Sequence, residues 1–346
     1  MKSRFFPLFV TIAVFCGMYY YAYHDFSSFG SMRIVGNLLR DYSYLGIAAV
    51  GATFVILSGG IDLSVGSVIG FTTVFCAYMI VEEEMDPRQV FAIVLVMGTV
   101  FGAVMGMIVY FFKIPPFIVT LSGMFLARGM AYVLTTESIR IGNKNPFYAK
   151  VSELVYIFPD KGRFTFASGA LLATFAVGII IAHFTRFGRD VYALGGNPTS
   201  AHLLGVPVRR TTIGVYAFSS FLATFAGIVL SLSKKSGDST TAIGVELDVI
   251  AAVVIGGTLL TGGVGYVLGT FFGVMMPGVL RTYLTLDGSL SPWWIKIATG
   301  GMLFGFIVMQ KLLSSRQVIV QLFVRIKVLV QELIQRPAQP DTVSTE

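Results

Sequence analysis

Few ionisable side chains interrupt the long apolar segments of this chain, and these few are the first candidates for chemistry. Asp62 stands in Gly59-Gly60-Ile61-Asp62-Leu63-Ser64. The glycines allow a helix to break there, which would leave backbone groups and Ser64 free to line a polar path. Asp62 or Ser64 could instead cap the helix that follows, and we weigh capping above substrate contact.

The other charges inside apolar segments have simpler explanations than chemistry. Arg281 and Lys296 lie near segment ends, where long side chains extend to the interface. Arg128 lies in mid-segment and is predicted to pair with a carboxylate that the sequence does not identify. Phe71 and Phe117 are candidates for lining a path, but packing is the commoner role in a chain with 30 phenylalanines. Glu246 and Asp248 lie at the outer start of the eighth predicted span, near the outer surface of the membrane.

One long polar segment, Thr185 to Arg210, interrupts the apolar pattern. Asn197 is a helix-capping residue, and Pro198 after it suits the first helical position. A helix is therefore predicted from Pro198 to about Leu204, ending at Gly205. Two turns are too short to be stable alone in water or to cross a bilayer. We expect a surface helix held by a partner, with its angle set by the glycines at its ends. The arginines of this segment are predicted to be anchors at the inner membrane surface: Arg186, Arg189, Arg209 and Arg210.

Several kinds of catalytic or binding site have no signature in the sequence. No Gly-Lys dipeptide occurs, so the phosphate-binding loop of conventional ATPases is missing. His24, His183 and His202 are far apart, and Cys16 and Cys76 lie in apolar runs, so no metal site or disulfide is predicted. No clustered acids or nucleophiles suggest an enzyme.

The composition indicates an integral membrane protein. Of 346 residues, 55% are hydrophobic and 12% are charged, against about 25% charged in soluble proteins. Long unbroken apolar runs favour helices over a barrel. The formal net charge of +7 is explained by loop residues that set topology and contact anionic lipid, and nucleic-acid binding is not expected.

Apolar runs long enough for a hydrocarbon core of ~30 Å predict an all-α polytopic membrane helix bundle with about ten transmembrane helices. Both termini are expected in the cytoplasm, from the positions of basic residues. Residues 1–310 form the transmembrane domain, including a cytoplasmic loop at 185–211. A basic amphipathic helix is expected at 311–336 and a disordered tail at 337–346. The predicted spans are 5–23, 42–58, 65–81, 89–112, 117–135, 166–184, 212–232, 248–261, 264–284 and 293–310.

Small residues at helical spacing predict close helix packing. Gly98, Gly102 and Gly106 recur every four residues, and so do Gly265, Gly269 and Gly273. The segments Leu57-Ser58-Gly59-Gly60-Ile61 and Leu260-Thr261-Gly262-Gly263-Val264 are also alike. This likeness has two explanations, an internal repeat or the same packing need met twice. The outer loop from Thr136 to Thr165 is either a docking surface or an unstructured connector.

The segment Ile56 to Ser67 closely resembles the permease subunits of bacterial ribose-type ABC sugar importers. The resemblance continues through Lys113 to Leu121, Ala193-Leu194-Gly195-Gly196-Asn197 and Ala252 to Thr258. Ser291-Pro292-Trp293-Trp294 and Glu246-Leu247-Asp248 look most like a permease of galactofuranose importers.

This resemblance implies a transport subunit in the inner membrane and not an enzyme. It implies four kinds of partner: an ABC ATPase that binds ATP-Mg, a second and related permease, a periplasmic sugar-binding protein, and membrane lipid. It also places the ATPase-coupling helix on Asn197, Pro198, Thr199, Ser200, Ala201, His202, Leu203, Leu204 and Gly205. The run Pro198 to His202 departs from the alanine-rich, basic run of many relatives. The main alternative is an ion-coupled secondary sugar transporter, for which Asp62 is the plausible membrane acid.

Overall fold

The computed structural model describes residues 6–143, 145–288 and 293–314. Within these ranges the chain is mostly helical. The helices are α1 Phe6–Asp25, α2 Met32–Asp41, α3 Ser43–Leu57, α4 Val65–Val81, α5 Pro87–Phe112, α6 Pro116–Leu134, α7 Pro146–Ser152, α8 Phe166–Phe184, α9 Arg186–Gly196, α10 Pro198–Leu203, α11 Val208–Lys234, α12 Val245–Ile255, α13 Val267–Asp287 and α14 Trp293–Ser314. A 3-10 turn covers Ser27–Gly30, and the short strands are β1 Ile139–Arg140, β2 Val155–Ile157, β3 Arg163–Thr165 and β4 Ser236–Gly237.

Each predicted span coincides with a helix, and the helical fold class is confirmed. Among the described residues, α5, α6, α8, α11 and α13 are long and apolar enough to cross a membrane. Three shorter apolar helices occur at Ser43–Leu57, Val65–Val81 and Trp293–Met309. The span predicted at 248–261 is wrong in extent: α12 has 11 residues and ends at Ile255. It is too short to cross a bilayer alone. The number of crossings and the side of the termini stay predictions.

Helix α11 lies at the centre of the bundle and packs against α3, α4 and α5. The glycines of α5 explain this closeness. A Cβ added at Gly98 would overlap Thr224, and one at Gly106 would lie 2.8 Å from the Ile213 Cα. Backbones approach because side chains are missing at these positions. In the same way, Gly269 and Gly273 of α13 face the carbonyl groups of Gly256 and Ala252 at the end of α12.

The bundle has two different ends. The α10 end carries α9, α10 and the loops that follow α3 and α12. The hairpin end carries α7, the pair β1–β4, and the antiparallel hairpin of β2 and β3, in which Tyr156 pairs with Phe164. Asn145 caps α7 by accepting from Phe147 N at 3.0 Å. The unstructured-connector interpretation of residues 136–165 is therefore wrong.

Two sequence predictions concern the C-terminal part of the chain, most of which lies outside the described residues. Helix α14 continues to Ser314, past the boundary expected at residue 310. The rest of the amphipathic helix predicted at 311–336, and the disordered tail predicted at 337–346, lie outside the described residues.

Candidate functional site

Helix α10 is a short, exposed helix with well-formed ends. Asn197 Oδ1 accepts a hydrogen bond from Ser200 N at 2.9 Å, which satisfies a free donor at the helix start. Gly205 follows the helix with φ +80°, a conformation that glycine adopts without strain. The sequence-predicted helix is thus present from Pro198 to Leu203.

The predicted coupling residues lie together on this surface. Ala201 is buried, and the other eight residues from Asn197 to Gly205 are exposed. Leu203 and Leu204 are 81% and 83% exposed. Two adjacent leucines this open on a polar helix are typical of a contact surface that a partner covers. Contact with an ATPase stays a prediction.

Helix α9 was not predicted, and it joins α10 to the bundle. Thr185 Oγ1 caps it by accepting from Gly188 N at 3.2 Å. Its Tyr192 hydroxyl donates to the Gly265 carbonyl oxygen at 2.7 Å. The His183 and Tyr192 rings stack with centroids 6.0 Å apart. All four arginines of the polar segment are exposed, and the Arg209 guanidinium lies 5.0 Å from the centre of the Phe111 ring.

Two glycine loops meet the last turn of α9 in a contact that we call the glycine junction: the loops contribute Leu57–Gly60 and Gly262–Gly263, and α9 contributes Gly195–Gly196. Gly263 N donates to the Leu57 carbonyl oxygen at 2.8 Å. A Cβ added at Gly195 would overlap that same oxygen, and one at Gly263 would lie 2.8 Å from Gly196 Cα. The segments 57–61 and 260–264, which look alike in sequence, therefore contact each other and the end of α9. A displacement of α9 and α10 must move both loops, because no side chain separates them.

Asp62 is buried and fully engaged within the bundle. It is 3% exposed. One carboxylate oxygen accepts from Ser64 N at 2.9 Å and from Ser64 Oγ at 2.6 Å, and the other accepts from Ser219 Oγ at 2.8 Å. These bonds fix the turn before α4 and tie it to α11. Ser64 is the N-cap residue of α4 but makes no side-chain cap bond, so the predicted capping by Asp62 or Ser64 is not observed; substrate contact by Asp62 stays a prediction.

The six predicted path residues do not form one site in this conformation. Gly59, Gly60, Asp62 and Ser64 are neighbours in one loop, where Ser64 is fully buried. Phe71 lines an apolar cavity of about 630 Å³ between α4, α5 and α6. Phe117 is 49% exposed at the start of α6. The sequence could place the loop, but not the distances between separate helices.

Arg128 has partners that the sequence could not name. Its guanidinium donates from Nη1 to the carbonyl oxygens of Ser239 and Thr241, each at 2.8 Å. The predicted carboxylate partner is therefore replaced by backbone acceptors. Glu246 interacts with this guanidinium electrostatically, but its buried Oε2 makes no hydrogen bond within the described part of the chain. Arg128 thus holds the segment before α12 against α4 and α6.

A second charged contact was missed by the sequence analysis. Lys296 Nζ lies 2.9 and 2.8 Å from the two carboxylate oxygens of Asp248, which joins α14 to α12. The sequence interpretation of Lys296 as a side chain that extends to the interface does not include this partner. The Glu246-Leu247-Asp248 motif was the available signal, but it did not show which cation lies opposite.

The family profile described as a branched-chain amino acid transport system permease component matches residues 34–307. The chain belongs to this permease family. Among its relatives, the inner membrane ABC transporter permease protein YjfF of Escherichia coli K12 is 52% identical over 90% of this chain and 93% of its own length.

Two other relatives of this permease chain have a substrate in their names. The fructose import permease protein FruG of Bifidobacterium longum is 36% identical over 90% of this chain and 92% of its own length. The ribose import permease protein RbsC of Escherichia coli K12 is 36% identical over 82% and 88%. No solved structure matches the chain. The ribose-type resemblance is supported at the level of the family.

Proposed function

We propose that this permease is the membrane subunit of an ABC importer that carries a monosaccharide and takes its energy from a separate ATPase. The observation that carries the proposal is the form of α10. Leu203 and Leu204 are more than four-fifths exposed. The helix before α10, α9, contacts the backbone of the bundle closely at Gly195. A surface helix with this rigid attachment is suited to passing the movement of a partner to the spans.

The membrane subunit has no nucleotide site of its own in this proposal. The sequence contains no Gly-Lys dipeptide, so ATP-Mg is bound by the ATPase subunits. A second, related permease completes the pore, and a periplasmic sugar-binding protein delivers the substrate. The α10 end faces the cytoplasm together with both termini, in the bacterial inner membrane. Membrane lipid is a further partner in this proposal.

The choice of a sugar over an amino acid is supported by the named relatives. The family profile is described by branched-chain amino acids, but the fructose and ribose permeases match more than four-fifths of this chain. Galactofuranose is the specific substrate that we propose, from the Glu246-Leu247-Asp248 and Trp293-Trp294 resemblance. The name of YjfF specifies no sugar.

The coupling role is tested by capture of the ATPase. Asn197→Ala with Leu203→Glu removes the cap of α10 and places a charge on its exposed face. We expect this variant to insert in the membrane but to lose co-purification with the ATPase and sugar uptake. The matched control is Ile157→Glu, because Ile157 is 61% exposed at the opposite end. ATPase capture that is normal in the α10 variant would contradict the coupling role.

The substrate is tested by uptake in cells that lack the chromosomal copy of this permease. Labelled galactofuranose, ribose, fructose and leucine are compared with and without the plasmid-borne gene. We expect ATP-dependent uptake of galactofuranose above that of the other three. Preferred uptake of leucine, or uptake driven by an ion gradient without ATP, would contradict the proposal.

A further inference from the structure

An open ion pair interrupts the apolar surface between α12 and α14. The side chains of Asp248 and Lys296 are 35% and 65% exposed, although Lys296 Nζ is within 3 Å of both carboxylate oxygens. Leu247 beside Asp248 is 63% exposed, and Trp293 and Ile297 beside Lys296 are 77% and 61% exposed. We call this surface the α12–α14 face.

The carboxylate of this face lies far from the ends of the neighbouring helix α13, although its side chain is partly exposed. Gly269 faces the carbonyl of Gly256, and Gly273 faces that of Ala252, so α12 and α13 run antiparallel in register. One further turn places Asp248 level with Pro277, the midpoint of the 21-residue helix α13. Such a helix is ~31 Å long, about the thickness of the hydrocarbon core. Asp248 therefore lies near the middle of the membrane, and Lys296 reaches it from the first turn of α14.

An exposed ion pair at this depth is incompatible with contact to acyl chains. Charged side chains inside membranes face a protein interior or water, because transferring them to hydrocarbon is costly. Two other deep charges are engaged inside the protein, since Asp62 is 3% exposed and Arg128 donates to two carbonyl groups; Arg281, one turn from Pro277, is exposed. The Asp248–Lys296 pair is satisfied electrically but is open on one side of this subunit, so either water or the second permease subunit covers that side.

We propose that the α12–α14 face borders the aqueous sugar path, and that Asp248 and Lys296 contact the hydroxyl groups of the passing monosaccharide. This inference rests on the proposed sugar transport. A carboxylate accepts hydroxyl protons and an ammonium group donates to hydroxyl oxygens. Arg281 and Asp248 both interact electrostatically with Tyr42 and Tyr44, so a further positive charge lies near the pair. Trp293 offers an aromatic surface for the C–H face of the ring at the outer end of α14.

Water access to the face is tested with cysteine labelling. Leu247→Cys is made in a Cys16→Ser background, since Cys16 is exposed and Cys76 is buried. A charged, membrane-impermeant methanethiosulfonate is added to cells, with and without sugar. The control is Val96→Cys, because Val96 is 64% exposed near the middle of α5, against 63% for Leu247. We expect labelling at residue 247 alone, slowed by transported sugar. Equal labelling at both positions, or none at 247, would overturn the proposal.

The contact with sugar is tested by the ratio of sugar transported to ATP hydrolysed in the reconstituted complex. We expect Lys296→Gln and Asp248→Asn each to lower this ratio about tenfold, the effect of one lost hydrogen bond to a charged group. Lys235→Gln, which breaks the exposed pair with Glu153, is the control and should leave the ratio unchanged. If the pair only joins α12 to α14, each single variant should lower uptake and ATPase activity together. The double variant Asp248→Lys with Lys296→Asp should then restore both.

The two proposals fail in different ways. If the wild-type complex shows no ATP-dependent sugar uptake, the proposed function is wrong. If the wild type transports sugar and the ratio is unchanged in Lys296→Gln and Asp248→Asn, the sugar contact is wrong and the proposed function stands. Full recovery of the ratio in the charge-exchanged double variant would likewise overturn the sugar contact.

Discussion

The two ends of the bundle are held together by different kinds of contact. At the α10 end, loops meet through backbone atoms in the glycine junction, where Gly263 N donates to Leu57 O. At the hairpin end, side-chain contacts supplement the backbone pairs β1–β4 and β2–β3: Lys235 binds Glu153 and Asn143, and the Tyr148 hydroxyl donates to Ser231 O at 2.6 Å. Backbone contacts have no rotamers and transmit displacement directly. Side-chain contacts can be broken one at a time.

This difference fits the division of roles in the proposed importer. The end that is displaced by an ATPase needs rigid contacts, so that the displacement reaches the membrane helices. The end that admits a sugar needs contacts that can open. The following predictions test the comparison, beginning with the largest expected effect.

The largest effect is expected at Gly195. Its Cβ would overlap the Leu57 carbonyl oxygen and approach Gly263 N at 2.6 Å, so Gly195→Ala must separate the loops. We expect a cost of about 1–3 kcal/mol and loss of uptake, measured by transport in vesicles and by thermal unfolding in detergent. Gly196→Ala is the control, because nothing lies within 4 Å of a Cβ there. Equal uptake by both variants would show that close backbone contact in the glycine junction is not required for transport.

A smaller effect is expected at Arg128, on the other side of the comparison. Arg128→Met leaves the carbonyl groups of Ser239 and Thr241 without this donor, at a cost of about 1–3 kcal/mol for the buried Ser239, whereas water can replace the donor at the half-buried Thr241. We expect a lower unfolding temperature of the purified complex, with faster hydrogen exchange in the segment before α12. Arg140→Met on the exposed strand β1 should change neither. Unchanged exchange in the Arg128 variant would show that backbone contacts hold this end too.

Tyr148→Phe removes a single hydrogen bond at the hairpin end. Tyr148 is fully buried, so the ring stays packed and only the bond to Ser231 O is lost. We expect a loss of about 1 kcal/mol in the free energy of unfolding, with ATPase coupling retained. Loss of coupling in this variant would contradict the separation of the two ends.

The smallest effect is expected at Glu153, and it depends on pH. Hydrogen bonds from Lys235 and Asn143 lower the pKa of this exposed carboxyl below its ordinary value. A lowered pKa in the folded state stabilises the protein above the unfolded value of about 4.3 and loses that contribution as pH falls through the folded value. The unfolding temperature of Glu153→Gln should therefore lie slightly below wild type at pH 7, and the difference should shrink as pH falls below about 4.3 and vanish below the folded pKa of Glu153. A difference that persists there would exclude the ion pair as its cause.

The sequence alone determined the helices and the start of the coupling segment. Apolar runs predicted the positions of the long helices within a few residues, α12 excepted, because helix length is set by the membrane and by local pattern. Asn197-Pro198 predicted the start of α10, because capping is a local interaction. Helix α9 was missed, because its stability comes from packing between α8 and α11 and not from a distinct local signal.

Only the tertiary structure decided which distant groups meet. The partners of Arg128 are more than 100 residues away, and Lys296 is 48 residues from Asp248. Gly195 and Gly263 indicate in the sequence that two backbones can approach closely. The sequence does not show that both glycines lie against the Leu57 carbonyl group. Local chemistry fixes where helices begin and end. The packing of helices from separate parts of the chain fixes which side chains and carbonyl groups share a site.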